Sequence, residues 1–244
     1  SKRPDLDCVF LSANASGVKD GVRCIQFKAR VGATQHTHFC SRTFENEVWV
    51  AHAVYETCQR ERLNPDVIIG HTGYGPTIFL QELYSCPIVN LFEFYYHPSR
   101  STMDFRPEFP TSEMGRLRAR ARNAMILLHL QACTAGYSPS VWQKSLLPEE
   151  YAYKIHVLHD GMDTTLWQRR PVPRRIGNKV IPDDVRIVTY VSRGMEAIRG
   201  FDIFVRVANR ILKDMSNVLF VVVGTDRVCY GNDLAHIQTK TFRE

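Results

Sequence analysis

"VRIVTYVSRGMEAIRGFDIF", residues 185–204, decides how this chain is read. Its first seven residues are mostly β-branched or aromatic, which predicts a strand over 185–191. Phe201 opens an amphipathic run that predicts a helix to about Lys213, and "VLFVVVG" (218–224) predicts a second buried strand. Strand, helix, strand in that order is the unit of a parallel sheet in an α/β fold. Between the first strand and the helix lie two glycines and two arginines six apart, Arg193 and Arg199. Two guanidiniums and the amino end of a helix suit a diphosphate. Solvated loop arginines fit the same spacing.

Towards the amino terminus the same alternation recurs. "DCVFL" (7–11), "VRCIQFK" (22–28), "NPDVIIG" (64–70), "PIVNLF" (87–92), "ACTAG" (132–136) and "KIHVLHDG" (154–161) read as strands. Arg42–Arg62 reads as a helix whose core stripe is Phe44, Val48, Ala51, Tyr55 and Cys58. A second helix is capped by Ser112 and runs to about Gln131, with Leu117, Ala121, Ala124 and Leu128 as its stripe and arginine pairs Arg116/Arg120 and Arg118/Arg122 on its other faces. "SPSVWQKSL" (138–146) opens with Ser-Pro, a helix-start signal. Residues 168–184 carry three prolines and little periodicity and read as a linker. The predicted domains are therefore 1–167 and 185–244, joined by 168–184.

Apolar residues make up 44% of the chain and the formal net charge is +6, a globular composition with a basic balance. That balance suits anionic partners without selecting one. No Lys/Arg-rich run interleaved with aromatics is present, so nucleic acid is not an expected partner. Seven scattered cysteines with no CxxC pair predict buried thiols in a reducing compartment. No apolar run approaches the roughly 18 residues of a membrane span.

In open parallel sheets, ligands bind where strands end at their carboxyl edge. "GHTGYGPT" (70–77) places His71, Gly73, Tyr74 and Gly75 at such an edge, where glycines admit backbone amides to an anion. A tight turn with a hydrogen-bonded histidine fits equally well. "FEFYYHP" (92–98) sets Glu93 among aromatics. A carboxylate there can accept sugar hydroxyls or act as a base, while the rings read as core. "HTHFC" (36–40) holds metal-ligand residue types, but no second cluster at zinc-site spacing accompanies them, so no metal site is expected.

At these segments the chain resembles a known family. "VSRGMEAIRGFDIF" is similar to the segment opening the C-terminal domain of retaining glycosyltransferases of family 4, which have the GT-B fold. The resemblance implies that Arg193 and Arg199, with Gly194, Gly200 and Gly224 around them, grip the diphosphate of a nucleotide-sugar. "IHVLHDGMDTTLW" (155–167) resembles the family's strand and turn near the hinge, matched at Gly161 and Asp163. "GHTGYGPTIFLQELY" and "NLFEFYYHPSRSTMDFRPEFP" resemble a bacterial subgroup reading H-T-G-W-G and then F-E-F-Y and F-x-P-E-F-P, with Tyr74 in place of Trp.

What the resemblance implies is a GT-B-like α/β fold of two Rossmann-like parallel-sheet domains, the second incomplete and the first lacking its first strand. It further implies transfer of a sugar from a nucleotide-sugar to a hydroxyl of a glycan or lipid-linked acceptor, without a metal and with anomeric retention. His71, Gly73, Tyr74, Gly75, Glu93, Gly161 and Asp163 fall on the acceptor side. A cytoplasmic protein touching anionic membrane through the Ser112–Gln131 helix and the 169–175 basic run is the expected setting. The chain opens on Ser1, ends at "KTFRE", and lacks the family's E-x7-E segment, so a fragment truncated at both ends is expected. An inactive remnant that binds a glycan or a protein is the alternative. A nucleotide-sugar epimerase of the same fold fits the 92–98 and 158–164 segments less well.

Overall fold

The computed structural model describes residues 5–73, 76–231 and 233–237. The chain divides into two compact units, one of Ser1–Ser101 with Ser112–Asp160 and one of Thr102–Thr111 with Gly161–Glu244. Residues 102–111, which sequence order places in the first domain, therefore belong with the second unit.

The first unit contains two sheets. Strands β1 (Val9–Ser12) and β3 (Val22–Gln26) pair in parallel, and β2 (Gly17–Lys19) pairs antiparallel with β3. Strands β4 (Ile68–His71), β5 (Ile88–Leu91), β6 (Ala135–Ser138) and β7 (Ile155–Val157) form an all-parallel sheet in sequential order. Parallel neighbours need crossover connections. Helix α2 (Glu113–Ala132) bridges β5 to β6, and the short α3 (Val141–Ser145) bridges β6 to β7. Helix α1 (Arg42–Arg60) precedes β4, with Glu45 in its first turn and Arg60 in its last, each favourable to the helix dipole.

The core gathers Phe27 beyond β3, Ala53, Val54 and Cys58 of α1, Ile88 and Phe92 around β5, Ile126 and Leu130 of α2, and Ile155 of β7. Phe92 and Leu130 are fully buried, and each such side chain contributes about 1.5–3 kcal/mol. The α1 stripe follows expectation, with Ala51 and Cys58 buried and Phe44 and Val48 packed beside Ala51. The α2 stripe does not. Leu117, Ala124 and Leu128 are exposed, and the buried face carries Ala119, Asn123, Met125, Ile126, His129 and Leu130.

Two polar residues cause that misreading. The Asn123 amide donates to the Tyr96 carbonyl and accepts from the Tyr96 N–H, both at 2.9 Å. His129 Nδ1 lies 3.3 Å from Thr77 Oγ1 and 3.4 Å from Asn90 Nδ2, with all three residues buried. A buried polar group with a partner is compatible with a core, so a count of apolar residues alone misplaces the helix face. Ser112 caps α2 as expected, accepting from Gly115 N at 3.1 Å.

Other boundaries also shift. The strand predicted over 132–136 lies at Ala135–Ser138. Ser138, read as a helix cap, ends that strand and donates to Phe92 O at 2.8 Å, while Ser140 caps α3. Among the cysteines, Cys58 and Cys133 are buried, whereas Cys8 is exposed and the others are partly exposed. Segment 36–40 is a loop in which Cys40 N donates to His38 Nδ1 at 3.3 Å. Among the described residues no helix is long and apolar enough to cross a membrane. Arg118 donates to Thr43 Oγ1 at 2.9 Å and lies 5.0 Å from the Phe39 ring centre, and Arg122 lies 4.1 Å from that of Tyr96. The basic face of α2 is therefore narrower than the sequence implies.

His129 yields a pH prediction. Burial holds its pKa down at about 4, against an ordinary 6.5. Its Nε2 has no partner among the described residues, so a second proton gains nothing there. Above pH 6.5 the imidazole is neutral whether the chain is folded or not. As pH falls from 6.5 towards 4 the unfolded chain takes up a proton that the folded chain refuses, and stability falls by about 3 kcal/mol. Glu47 acts oppositely. Burial, outweighing the Arg122 charge, raises its carboxyl to about 7, so its contribution is present at low pH and lost as pH rises through 7. Partial solvent exposure shrinks that opposing term. Urea unfolding at pH 7 and pH 4.5 should therefore show a smaller acid loss in His129→Gln than in the parent. Equal acid losses would overturn the assignment.

The second unit holds a hairpin, β8 (Arg175–Ile176) with β9 (Lys179–Val180), inside the segment read as a linker. Beyond it, β10 (Arg186–Gly194) and β11 (Val218–Thr225) pair in parallel. Helix α4 (Phe201–Asp214) covers one face of the pair through aromatic contacts. The Tyr190 ring lies 5.3 Å from Phe201 and 5.2 Å from Phe204, and Phe204 lies 5.8 Å from Phe220. The other face carries exposed Ile187, Val191 and Val223. The whole is an α/β fold with parallel sheets, the arrangement expected of Rossmann-like units.

Candidate functional site

Each unit brings together residues that the sequence singles out. In the first, β4 ends at His71 and β5 at Leu91, which are register partners, so both carboxyl ends lie on one edge of the sheet. Glu93 follows two residues later. His71 Nε2 and Glu93 Oε2 are 3.2 Å apart. The Gly73 N–H donates to His71 Nδ1 at 3.1 Å. Nδ1 is thus an acceptor, which leaves the ring proton on Nε2, aimed at the carboxylate.

Glu93 is held from behind, since its backbone carbonyl accepts from Gln143 Nε2 at 3.0 Å, while its side chain stays half exposed. The neighbouring rings pack. Tyr95 and Tyr96 lie against the core, and Phe94 sits 5.0 Å from Tyr96 and 6.3 Å from Trp142. A carboxylate oriented by a neutral imidazole at an open sheet edge can accept a hydroxyl group's hydrogen bond and its proton. Tyr74 and Gly75 lie outside the described residues.

In the second unit, β10 extends past its predicted end at Val191 to Gly194, with an irregularity after Val191. Arg193 is thereby set at the carboxyl end of a parallel strand. A single 3₁₀ turn (Ala197–Arg199) follows, and Gly200 caps α4 with φ +72°, a left-handed conformation that favours glycine. Gly224 has φ +153°, and a Cβ there would lie 2.1 Å from the Ser192 carbonyl oxygen, so β11 approaches the Arg193 strand closely only because this residue is glycine. Gly194 is buried in the same turn.

The two arginines converge. Arg193 Cζ lies 5.7 Å and Arg199 Cζ 5.6 Å from the centre of the Tyr230 ring. Arg193 Nη1 also donates to Tyr230 Oη at 2.6 Å. Arg199 Nε donates to Glu196 Oε1 at 3.2 Å. Glu196 is fully buried, and its second oxygen accepts from Cys229 N and from Tyr230 N, the latter at 2.8 Å. Arg199 is thus partly neutralised, whereas among the described residues the Arg193 side chain meets the Tyr230 phenol and no carboxylate. Sequence reasoning missed Glu196 and Tyr230. The first lay in the opening quotation as an ordinary loop acid, and the second has no local pattern to mark it.

Gly161 has φ +77°. Asp163 caps the turn after it, its carboxylate accepting from Thr165 N at 3.0 Å and from the Thr165 hydroxyl at 2.5 Å. Those hydrogen bonds hold the carboxyl below its ordinary range. Among the described residues, no group of three or more His, Cys, Asp or Glu side chains is arranged to hold a metal ion.

A family profile described as the glycosyl transferase family 4 group matches residues 4–180. The chain belongs to the glycosyl transferase family 4 group. The match takes in His71 and Glu93 and ends before β10, so the arginine pair lies beyond it. No curated protein matches the chain. Membership makes it a glycosyltransferase-type protein, with a sugar donor and an acceptor as its general partners.

Proposed function

We propose that the chain carries the acceptor side and part of the donor side of a retaining glycosyltransferase. The sugar moves from a nucleotide-sugar to a hydroxyl of a glycan or lipid-linked acceptor. The observation that carries this reading is the His71–Glu93 pair, 3.2 Å apart at the carboxyl edge of the parallel sheet and within the family-matched stretch. Glu93 accepts the hydrogen bond of the attacking hydroxyl, and His71 fixes the carboxylate that does so. As the new bond forms between the acceptor oxygen and the anomeric carbon, the anomeric carbon–oxygen bond to the diphosphate breaks. The hydroxyl proton leaves toward Glu93 or the departing phosphate. Negative charge then grows on the diphosphate, and Arg193 and Arg199 stabilise it.

The experiment is a transfer assay with a panel of labelled nucleotide-sugars and acceptor hydroxyls, run on the parent and on Glu93→Gln. Loss of the carboxylate should lower kcat/KM by roughly 10²-fold, the scale of one general-base contribution. The amide retains an oxygen that can accept from His71, so folding should be unchanged by circular dichroism. Parent-level transfer in Glu93→Gln would remove this residue from the mechanism. Glycan binding by a parent that neither transfers sugar nor binds nucleotide would favour a binding module instead.

A further inference from the structure

Tyr230 stands where the two arginines meet, and packing does not explain why. The residue is 37% exposed. Its hydroxyl takes the Arg193 Nη1–H at 2.6 Å, and its ring lies beside both guanidiniums. The segment that carries it is laced down on both sides. Met195 N donates to Arg227 O at 3.0 Å, and Ala197 N donates to Asp233 Oδ2 at 2.7 Å. Between them the buried Glu196 carboxylate takes the Cys229 and Tyr230 backbone N–H groups. The backbone at Tyr230 is therefore fixed, and the side chain alone is left to move.

We infer that the Tyr230 phenol is a built-in occupant of the arginine pair, holding the donor group on Arg193 that a diphosphate oxygen takes when ligand binds. This inference rests on the reading of Arg193 and Arg199 as a diphosphate site. A phenol is a neutral acceptor, whereas a phosphate oxygen forms a charge-assisted hydrogen bond of roughly twice the strength. The exchange therefore runs toward the anion, and rotation of the tyrosine side chain suffices for it while Glu196 keeps the backbone in place. Selectivity follows from the exchange. A ligand must engage both guanidiniums to offset loss of the Arg193–Tyr230 contact, which favours a diphosphate over a single phosphate.

The test is calorimetric titration of the full chain with inorganic pyrophosphate, and separately with inorganic phosphate. The forms compared are the parent, Tyr230→Phe and Arg193→Ala. Removing the competing hydroxyl should tighten pyrophosphate binding about fivefold, the worth of one ordinary hydrogen bond. A merely structural role for the hydroxyl would give no gain in affinity. Arg193→Ala should lose binding, and phosphate should bind more weakly than pyrophosphate throughout. If Tyr230→Phe binds pyrophosphate no better than the parent while Arg193→Ala loses it, the occupant role is overturned and the arginine site stands. If neither the parent nor Tyr230→Phe binds pyrophosphate, or Arg193→Ala binds it as the parent does, both readings fall together.

Discussion

Arg106→Ala should destabilise the second unit by about 3 kcal/mol, at the lower end of the range for breaking a buried ion pair. Arg106 grips Asp202 with two parallel bonds, Nη1 to Oδ1 at 3.2 Å and Nη2 to Oδ2 at 2.7 Å, and Nη1 also donates to Ala197 O at 2.7 Å. The two side chains are only 10% and 14% exposed. Burial pushes the Asp202 carboxyl up, but hydrogen bonds from Arg106 and Arg206 outweigh it and hold the group below its ordinary range. Deleting Arg106 leaves a shielded carboxylate with Arg206 as its remaining cation, which is why the lower end applies. It also removes one of two donors to the Ala197 carbonyl just ahead of α4, which keeps the Gly200 N–H at 2.9 Å. Arg106→Lys should recover only part of the loss, because an ammonium cannot reproduce the fork. Hydrogen exchange read by mass spectrometry provides the check. Amides of β10, α4 and β11 should lose protection, while those of β4–β7 keep theirs. Unchanged protection in α4 would show that the pair is ornamental.

That contact also shows what a sequence cannot express. Arg106 lies in a stretch noted only for its resemblance to F-x-P-E-F-P, and its partner is 96 residues away. Nothing in local pattern joins them. The α/β alternation was legible, because buried parallel strands read as short apolar runs and α1 keeps a clean apolar stripe. On α2 the same reasoning chose the wrong face, since Asn123 and His129 belong to the core through their hydrogen bonds, and hydropathy does not count hydrogen bonds. The hairpin at 175–180 sits in a segment whose prolines and charges read as linker, and two-residue strands leave too short a pattern to notice.

The candidate site was legible in a different way. His71 and Glu93 come from segments twenty residues apart, yet each follows a parallel strand, and topology sends all such ends to one edge. Their contact at 3.2 Å is what that rule anticipates. Arg193 and Arg199 were found by spacing, but the reason they converge was not. It depends on Glu196, a buried carboxylate that draws the 229–230 backbone into the turn and so brings Tyr230 between them. A lone acid in a glycine-bearing turn reads as solvated, and only its burial shows otherwise.

Under the proposed reading, Arg193→Ala should lower kcat/KM for sugar transfer by about 10²-fold or more, roughly 2.7 kcal/mol of transition-state stabilisation. Arg193 sits at the carboxyl end of β10, and among the described residues its side chain donates a hydrogen bond to the Tyr230 phenol and to no carboxylate. Its full charge therefore answers to a diphosphate as the sugar–phosphate bond breaks. Removing an interaction that strengthens along that coordinate lowers kcat, whereas removing uniform binding raises KM alone. Arg199 should matter less. Its Nε already serves Glu196 at 3.2 Å, so part of its charge is spent inside the protein. Arg199→Lys keeps a cation near the same carboxylate and should cost less than Arg193→Ala. Steady-state kinetics on the three proteins, at donor concentrations spanning KM, separate these effects. If Arg193→Ala changes kcat/KM by less than threefold, or raises KM alone, the guanidinium does not meet the leaving group in the transition state and the donor site lies elsewhere.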